Sequence, residues 1–315
     1  MLTIGFEWGR DQKSGDGALG AHILKLANED HKRAQRLQDA ALMVARKLPQ
    51  VTSVDALLSL LTDEDAIEIA KKAIVVAIAR AERKSLVFRE DEREYDGSYF
   101  RSLSKTWYEK LFDLLYSGIP VGRVREIFAN LSVISFNYDR SFEEFLFRAI
   151  RNLYDLGETE AADVMSRLQI VHPYGQIAPL NWQSNQGTRY GNMPPLGGAE
   201  ASILTFSEQI HDEALQERIG TFVSSSERIV FFGFGFLAAN MQVLKPSTPM
   251  PRKPLKGTAF QFSASNKRHV EDDLESWLEA SDPLSSEEIT DPAVDLDNSC
   301  TCSEFIEQFS RFVAA

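Results

Sequence analysis

Apolar positions along this chain follow two patterns. From Ala21 to about Ser85 they recur at three- and four-residue steps, as in Leu37, Ala41, Val44, Ala45 and Leu48, the spacing of one helix face. That spacing predicts helices over 21–29, 33–48, 53–61 and 65–84. The last of these, DAIEIAKKAIVVAIARAERK, is apolar enough to be nearly surrounded by protein. Farther along, short apolar runs alternate with helical stretches. Leu131–Phe136, Leu168–Val171, Ala201–Phe206, Arg228–Phe236 and Gly257–Ser263 read as strands, because β-branched and aromatic residues gather there between polar breaks. Helices are expected over 103–116, 121–129, 141–154, 158–167, 207–224, 266–280 and 303–313. Between them lie a charged linker (89–97), a loop rich in Gly, Pro and Asn (176–200), a Pro-rich crossover (246–256) and an acidic loop (281–298). A loop as long as 176–200 inside a globular chain is usually functional or mobile.

Helices alternating with strands of this kind predict an α/β fold, a doubly wound, mostly parallel sheet of Rossmann-like form carrying a helical insertion. Residues 1–280 are expected to form that α/β domain, with about 21–117 as a helical part that does not fold independently. An acidic loop and a C-terminal helix over 281–315 complete the chain.

Three predicted strands end in polar or glycine-rich turns. The run before Asn137-Tyr138-Asp139 breaks off abruptly, and Ser141 and Glu144 behind it have the spacing of a capping box ahead of the apolar face Phe142, Phe145, Leu146 and Ile150. Asn137 and Asp139 therefore sit between the carboxyl end of a strand and a helix start, where open α/β sheets bind ligands. Asn and Asp also favour such turns for purely local reasons, so both readings stand. The second run ends in His172-Pro173-Tyr174-Gly175. The third, RIVFFGFGF, runs out at Gly233 and Gly235, which permit positive φ and close backbone approach to a ligand, or simply a tight turn.

Composition narrows the options. At 315 residues the chain can bury a large core, and a net charge of −12 with pI near 5.0 argues against a nucleic-acid backbone binder. A small anionic ligand stays open, because backbone amides at helix starts hold phosphate without net positive charge. No apolar run approaches membrane-spanning length and no signal-peptide pattern follows Met1, so no membrane association and a cytoplasmic location are expected. Cys300 and Cys302 are too few for a four-thiolate zinc site, and the five histidines show no ligand spacing; no metal is expected.

Taken in order, SFNYD (135–139), VHPYG (171–175) and FFGFGF (231–236) resemble the sirtuin-like NAD-binding domains. The likeness is closer to the bacterial members that hydrolyse NAD in antiphage defence than to the protein deacylases. It covers about residues 20 to 280. The resemblance implies that Asn137 lies beside the nicotinamide ribose and that Asp139 recognises the nicotinamide carboxamide. It places His172 near the general base, Gly233 and Gly235 at the glycine turn facing the dinucleotide, and Asn240 at the following helix or on the adenosine side. It also implies assembly into homo-oligomers or work beside a defence-system partner. Two departures are plain. The family's opening strand and G-A-G-x-S loop have no counterpart here, and the histidine that usually precedes the glycine directly is replaced by Tyr174. If 168–174 stays extended, His172 and Tyr174 share a face, and Tyr174, with an ordinary pKa near ~10, is the poorer base.

The chemistry fits those residue types. Breaking the nicotinamide–ribose bond passes through an oxocarbenium-like centre; an amide side chain can hold ribose hydroxyls, and an imidazole can take a proton from water. NAD glycohydrolysis is the first expectation. A catalytically inactive module binding NAD, a related nucleotide or a protein is the alternative, and a deacylase, whose zinc module has no cysteines here, comes third.

Overall fold

The helix Glu64–Lys84 is where the sequence pattern and the computed structural model agree most fully. Asp63 caps it by accepting from Ala66 N at 2.8 Å, Glu64 and Asp65 occupy its first turn, and Arg83 and Lys84 its last, all favourable to the helix dipole. Ile69, Ala73, Ile74, Val75, Val76 and Ala79 are buried on every side of it. The structure describes residues 17–51, 54–91, 94–205, 208, 212–246, 249–281 and 293–314. The glycine-containing opening up to residue 16 and most of the predicted acidic loop therefore lie outside the described residues, as does the start of the helix expected from residue 207.

Two compact units divide the chain. The first comprises residues 1–90, 136–144 and 172–211. Its helices are α1 (Gly17–Glu29), α2 (His31–Lys47), α3 (Val54–Leu58) and α4 (Glu64–Lys84). Leu37, Ala41 and Val44 of α2 and Leu19 and Ile23 of α1 share a core with α4, joined by Tyr138, Tyr174, Ile177 and Ile203. Two lysines of α4 are buried as well. Lys72 donates to Leu196 O at 2.8 Å and pairs with Glu200, and Lys71 pairs with Glu208 at 2.7 Å. They tie Leu196, Glu200 and Glu208 to the helix.

The second unit comprises 91–135, 145–171 and 212–315. After α5 (Gly97–Leu103) and α6 (Trp107–Tyr116) it enters β1 (Ser132–Ile134). Next come α7 (Ser141–Leu153), whose first turn belongs to the first unit, then α8 (Glu158–Met165) and β2 (Gln169–Val171). Helix α9 (Glu213–Ser225), β3 (Ile229–Phe231), α10 (Ala238–Val243), β4 (Leu255–Thr258) and α11 (Ala264–Ser281) follow, and β5 (Val294–Asp297), α12 (Cys302–Gln308) and α13 (Ser310–Ala314) close the chain. All pairings among these strands are parallel. β1 pairs with β2, with Ile134 opposite Val171, and β3, β4 and β5 form a second sheet in that order. Among the described residues the fold is mixed α/β, mostly helical, with two small parallel sheets.

Local chemistry explains several boundaries in this unit. Buried Lys253 donates to the carbonyls of Val223 and Ser224, both at 2.9 Å, and of Ser226, satisfying the orphan acceptors at the end of α9. Burial lowers its pKa. Among the described residues strand β5 pairs with β4 alone; on its other side Glu275 and Glu271 of α11 accept from Val294 N and Leu296 N at 2.9 and 3.1 Å. That arrangement occupies N–H groups an edge strand would otherwise present. Phe145 of α7 lies against Tyr108 and Phe112 of α6, with ring centroids 5.6 and 6.2 Å apart.

Several expectations change: the helix expected over 121–129 is a 3-10 segment, Val121–Glu126, and that over 303–313 breaks at Phe309 into α12 and α13. The strand over 201–206 is absent from the residues described there: Gly198, at φ +81°, leads into a 3-10 turn, Ala199–Ser202, and Ile203 makes a single antiparallel bridge to Gly175. The helix expected over 103–116 starts only at Trp107, where Thr106 caps α6; the turn before it, in which Ser104 and Thr106 donate back to α5 carbonyls, ends a separate helix, α5. The acidic stretch gains an unexpected strand, β5, in which Val294 and Leu296 point inward and Asp295 outward.

Candidate active site

The turn after β1 keeps the alternation of a strand. Phe136 and Tyr138 face inward onto Tyr174, with ring centroids 5.8 and 6.4 Å away, which leaves Asn137 exposed and Asp139 half-exposed. Asp139 Oδ1 accepts from Ser141 N at 3.0 Å and so secures the start of α7. The expected capping box does not form. Ser141 Oγ is hydrogen-bonded to Tyr190 Oη at 2.7 Å, and Glu144 accepts from Trp182 Nε1 at 3.1 Å. Both side chains are taken by the loop over 176–200 instead.

That loop is pinned closely to the turn. Arg140, which follows Asp139, is fully buried against Glu82 of α4, with Nη2 2.6 Å from Oε2. Its Nη1 donates to Thr188 O at 2.7 Å, and Gly191 N donates to Glu82 Oε2 at 3.1 Å. Tyr190 Oη bridges Ser141 and Ser85, and burial pushes its phenol well above the usual range. One helix, one turn and one loop are thus locked through buried polar groups, each with a partner.

His172 leaves the end of β2 as Asn137 leaves the neighbouring end of β1. The chain does not stay extended through Tyr174: Gly175 N donates back to His172 O at 2.9 Å, and Gly175 has φ +79°. His172 and Tyr174 therefore point differently. The Tyr174 side chain is buried in the core of the first unit, while the His172 ring turns toward Asn137 and α7. Nδ1 lies 3.0 Å from the Asn137 carbonyl oxygen and Nε2 2.9 Å from Glu143 Oε1. Gln176 Nε2 contacts both Glu143 Oε1 and, at 2.6 Å, His172 Nε2.

A carbonyl only accepts, so Nδ1 carries hydrogen in this arrangement. Nε2 then either donates to Glu143, making the ring an imidazolium, or accepts from the Gln176 amide as a neutral ring. Burial opposes the charged form, but the hydrogen bond and charge of Glu143, the Asn137 carbonyl and the charge of Asp139 outweigh it, and the pKa of His172 is raised. Glu143 itself is 2% exposed, and its Oε2 is buried without a hydrogen-bond partner.

The remaining candidates lie in the second unit. After β3, Gly233 adopts φ +58° and donates its N–H to Thr258 Oγ1 at 2.9 Å. Gly235 is exposed, and Asn240 sits half-buried on α10. The first unit thus brings Asn137, Asp139 and His172 into one neighbourhood, with Tyr174 behind them as core; Gly233, Gly235 and Asn240 belong to the other unit. Sequence reasoning missed Glu143, Gln176 and the Glu82–Arg140 pair. The available signal was Glu143-Glu144 between Phe142 and Phe145, two charges in an otherwise apolar helix start.

The chain matches no protein-family model, no curated protein and no solved structure. Among the described residues no group of three or more His, Cys, Asp and Glu side chains is arranged to hold a metal ion, and no helix is long and apolar enough to cross a membrane.

Proposed function

We propose that this protein is an NAD glycohydrolase built on a doubly wound, sirtuin-like sheet, with NAD as its substrate. The observation that carries the reading is the meeting of Asn137 and His172. They are far apart in sequence, yet they follow adjacent parallel strands that end level with each other, and the His172 ring meets the main-chain carbonyl of Asn137, itself an exposed residue, at 3.0 Å. An amide and an imidazole at such strand ends suit a sugar-cleaving reaction. In that reaction the nicotinamide–ribose bond breaks, nicotinamide leaves with the bonding electrons, and water adds to the ribose carbon. His172 takes the proton that water loses, and Asp139 offers a carboxylate to the leaving amide. In the second unit, Gly233 at φ +58° has the backbone conformation that favours glycine, as the resemblance asks of its glycine turn. Antiphage defence is the setting the sequence resemblance suggests.

A second reading, a nucleotide-binding module without turnover, has its own support. Both ring nitrogens of His172 are engaged within the chain, and Asp139 already serves the start of α7. Nicotinamide release from NAD by the purified protein separates the two. Release that disappears in Asn137→Ala and His172→Ala supports the hydrolase. A melting temperature raised by NAD with no release supports the binding module.

A further inference from the structure

We infer that Glu143 is a positioning residue for His172, holding the ring by Nε2 so that Nδ1 is the nitrogen that takes the proton. The inference deepens the glycohydrolase reading and rests on it. The geometry separates the two sides of the ring. On the Nε2 side are the first turn of α7 and Gln176, and the carboxylate that meets the ring there is 2% exposed. On the Nδ1 side is the main chain of Asn137, an exposed residue in the turn between β1 and α7. A substrate hydroxyl or water reaching this ring does so from the Asn137 side, by replacing that carbonyl at Nδ1.

Glu143 is set up for this role and little else. Its Oε1 is crowded by two donors while its Oε2 has no partner, so the buried carboxylate is poorly compensated except by a positive charge on His172. The titratable groups acting on the ring are Glu143, from α7, and Asp139, from the turn. As an imidazolium the ring donates from Nδ1 to Asn137 O and from Nε2 to Glu143. Once a water has displaced the Asn137 carbonyl, loss of the Nδ1 proton leaves a neutral ring held by Nε2–H···Glu143 with Nδ1 free to accept, in place of the Nδ1–H tautomer that the carbonyl and Gln176 favour in the resting arrangement. Taking a proton from water at Nδ1 during the reaction restores the imidazolium.

The test pairs a titration with kinetics on the full chain. Ring signals of His172 are followed by NMR against pH in the wild type and in Glu143→Gln, with His172→Gln giving the assignment. Nicotinamide release is measured over the same pH range. The expected result is a His172 titration lowered by roughly 1–3 pH units in Glu143→Gln, and an acid limb of the release profile that moves down with it. The expected fall in kcat is on the order of tenfold or more, with KM for NAD unchanged. A merely structural glutamate would lower melting temperature without moving either titration. Should Glu143→Gln not fold, Glu143→Asp keeps the charge but withdraws it from Nε2, and the same downward shift is expected. An unchanged titration and an unchanged acid limb overturn the inference. If the wild type releases no nicotinamide, the glycohydrolase reading falls, and with it the proton-accepting role of Nδ1. The titration still decides whether Glu143 governs the state of the ring.

Discussion

Arg140 and Glu82 form a two-point ion pair in which neither side chain has any exposure, with Nη2 2.6 Å from Oε2 and Nε 3.0 Å from Oε1. The pair joins the turn carrying Asn137 and Asp139 to helix α4, and Glu82 also accepts from Arg140 N and Gly191 N. Removing one partner strands a buried charge. Arg140→Met is therefore expected to cost about 3–5 kcal/mol, read as a drop in the urea midpoint. Adding Glu82→Leu should recover part of that loss but not all, because Arg140 N and Gly191 N would then lack acceptors. Equal stability of the single and double variants would show that the pair is not the tie it looks to be.

Asp139 has one structural role in the fold and one proposed for it, and variants separate them. As the acceptor for Ser141 N it acts on the start of α7, and loss of such a contact costs about 1 kcal/mol. Asp139→Ala should lose that much in denaturant titrations, while Asp139→Asn keeps an oxygen in place and should lose little. A carboxylate that also binds the nicotinamide amide predicts something further: Asp139→Asn retains its stability yet weakens NAD cleavage. Full cleavage in Asp139→Asn would confine the residue to its helix.

These two residues also show how far the sequence could be read. Position was legible: the break after a short apolar run put Asn137 and Asp139 between β1 and α7, and the periodicity of 65–84 gave α4 nearly to the residue. Direction was not. His172 and Tyr174 would share a face only in an extended chain, and the turn closed by Gly175 N on His172 O separates them. Partners distant in sequence were invisible too. Nothing near Arg140 names Glu82, and nothing near His172 names Glu143. β5 was hidden for another reason: Val294-Asp295-Leu296-Asp297 alternates as a strand should, but so briefly, inside an acidic stretch, that composition masked the period.

Two glycines at predicted strand ends should respond differently to the same substitution. At Gly175, φ is +79° and an added Cβ would lie 2.0 Å from Ser202 O. That oxygen belongs to a segment held by the Gly175–Ile203 bridge and by Leu204 N to Tyr174 O at 3.0 Å. Gly175→Ala should destabilise by at least about 1–3 kcal/mol. Gly235 has no positive φ, and an added Cβ would meet only Leu237 Cγ at 4.0 Å. Gly235→Ala should leave stability within about 0.5 kcal/mol of wild type. If the backbone there faces the dinucleotide, the same variant raises KM for NAD. Thermal melts of both proteins and one kinetic comparison decide the matter.

The raised pKa of His172 makes folding stability depend on pH in a direction that can be fixed beforehand. Burial works against the cation, but Glu143, the Asn137 carbonyl and Asp139 together favour it, so the folded state holds this proton more tightly than the unfolded chain does. The resulting stabilisation is complete below the unfolded value near ~6.5 and is lost as pH rises through the higher folded value. Wild-type urea midpoints should therefore fall across that window. The fall should be smaller in His172→Gln, which has no proton to lose, and smaller in Glu143→Gln, which no longer attracts one. The difference between wild type and His172→Gln isolates this ring from every other group that titrates in the same range. A difference that stays constant with pH would mean that the folded chain does not favour the protonated ring.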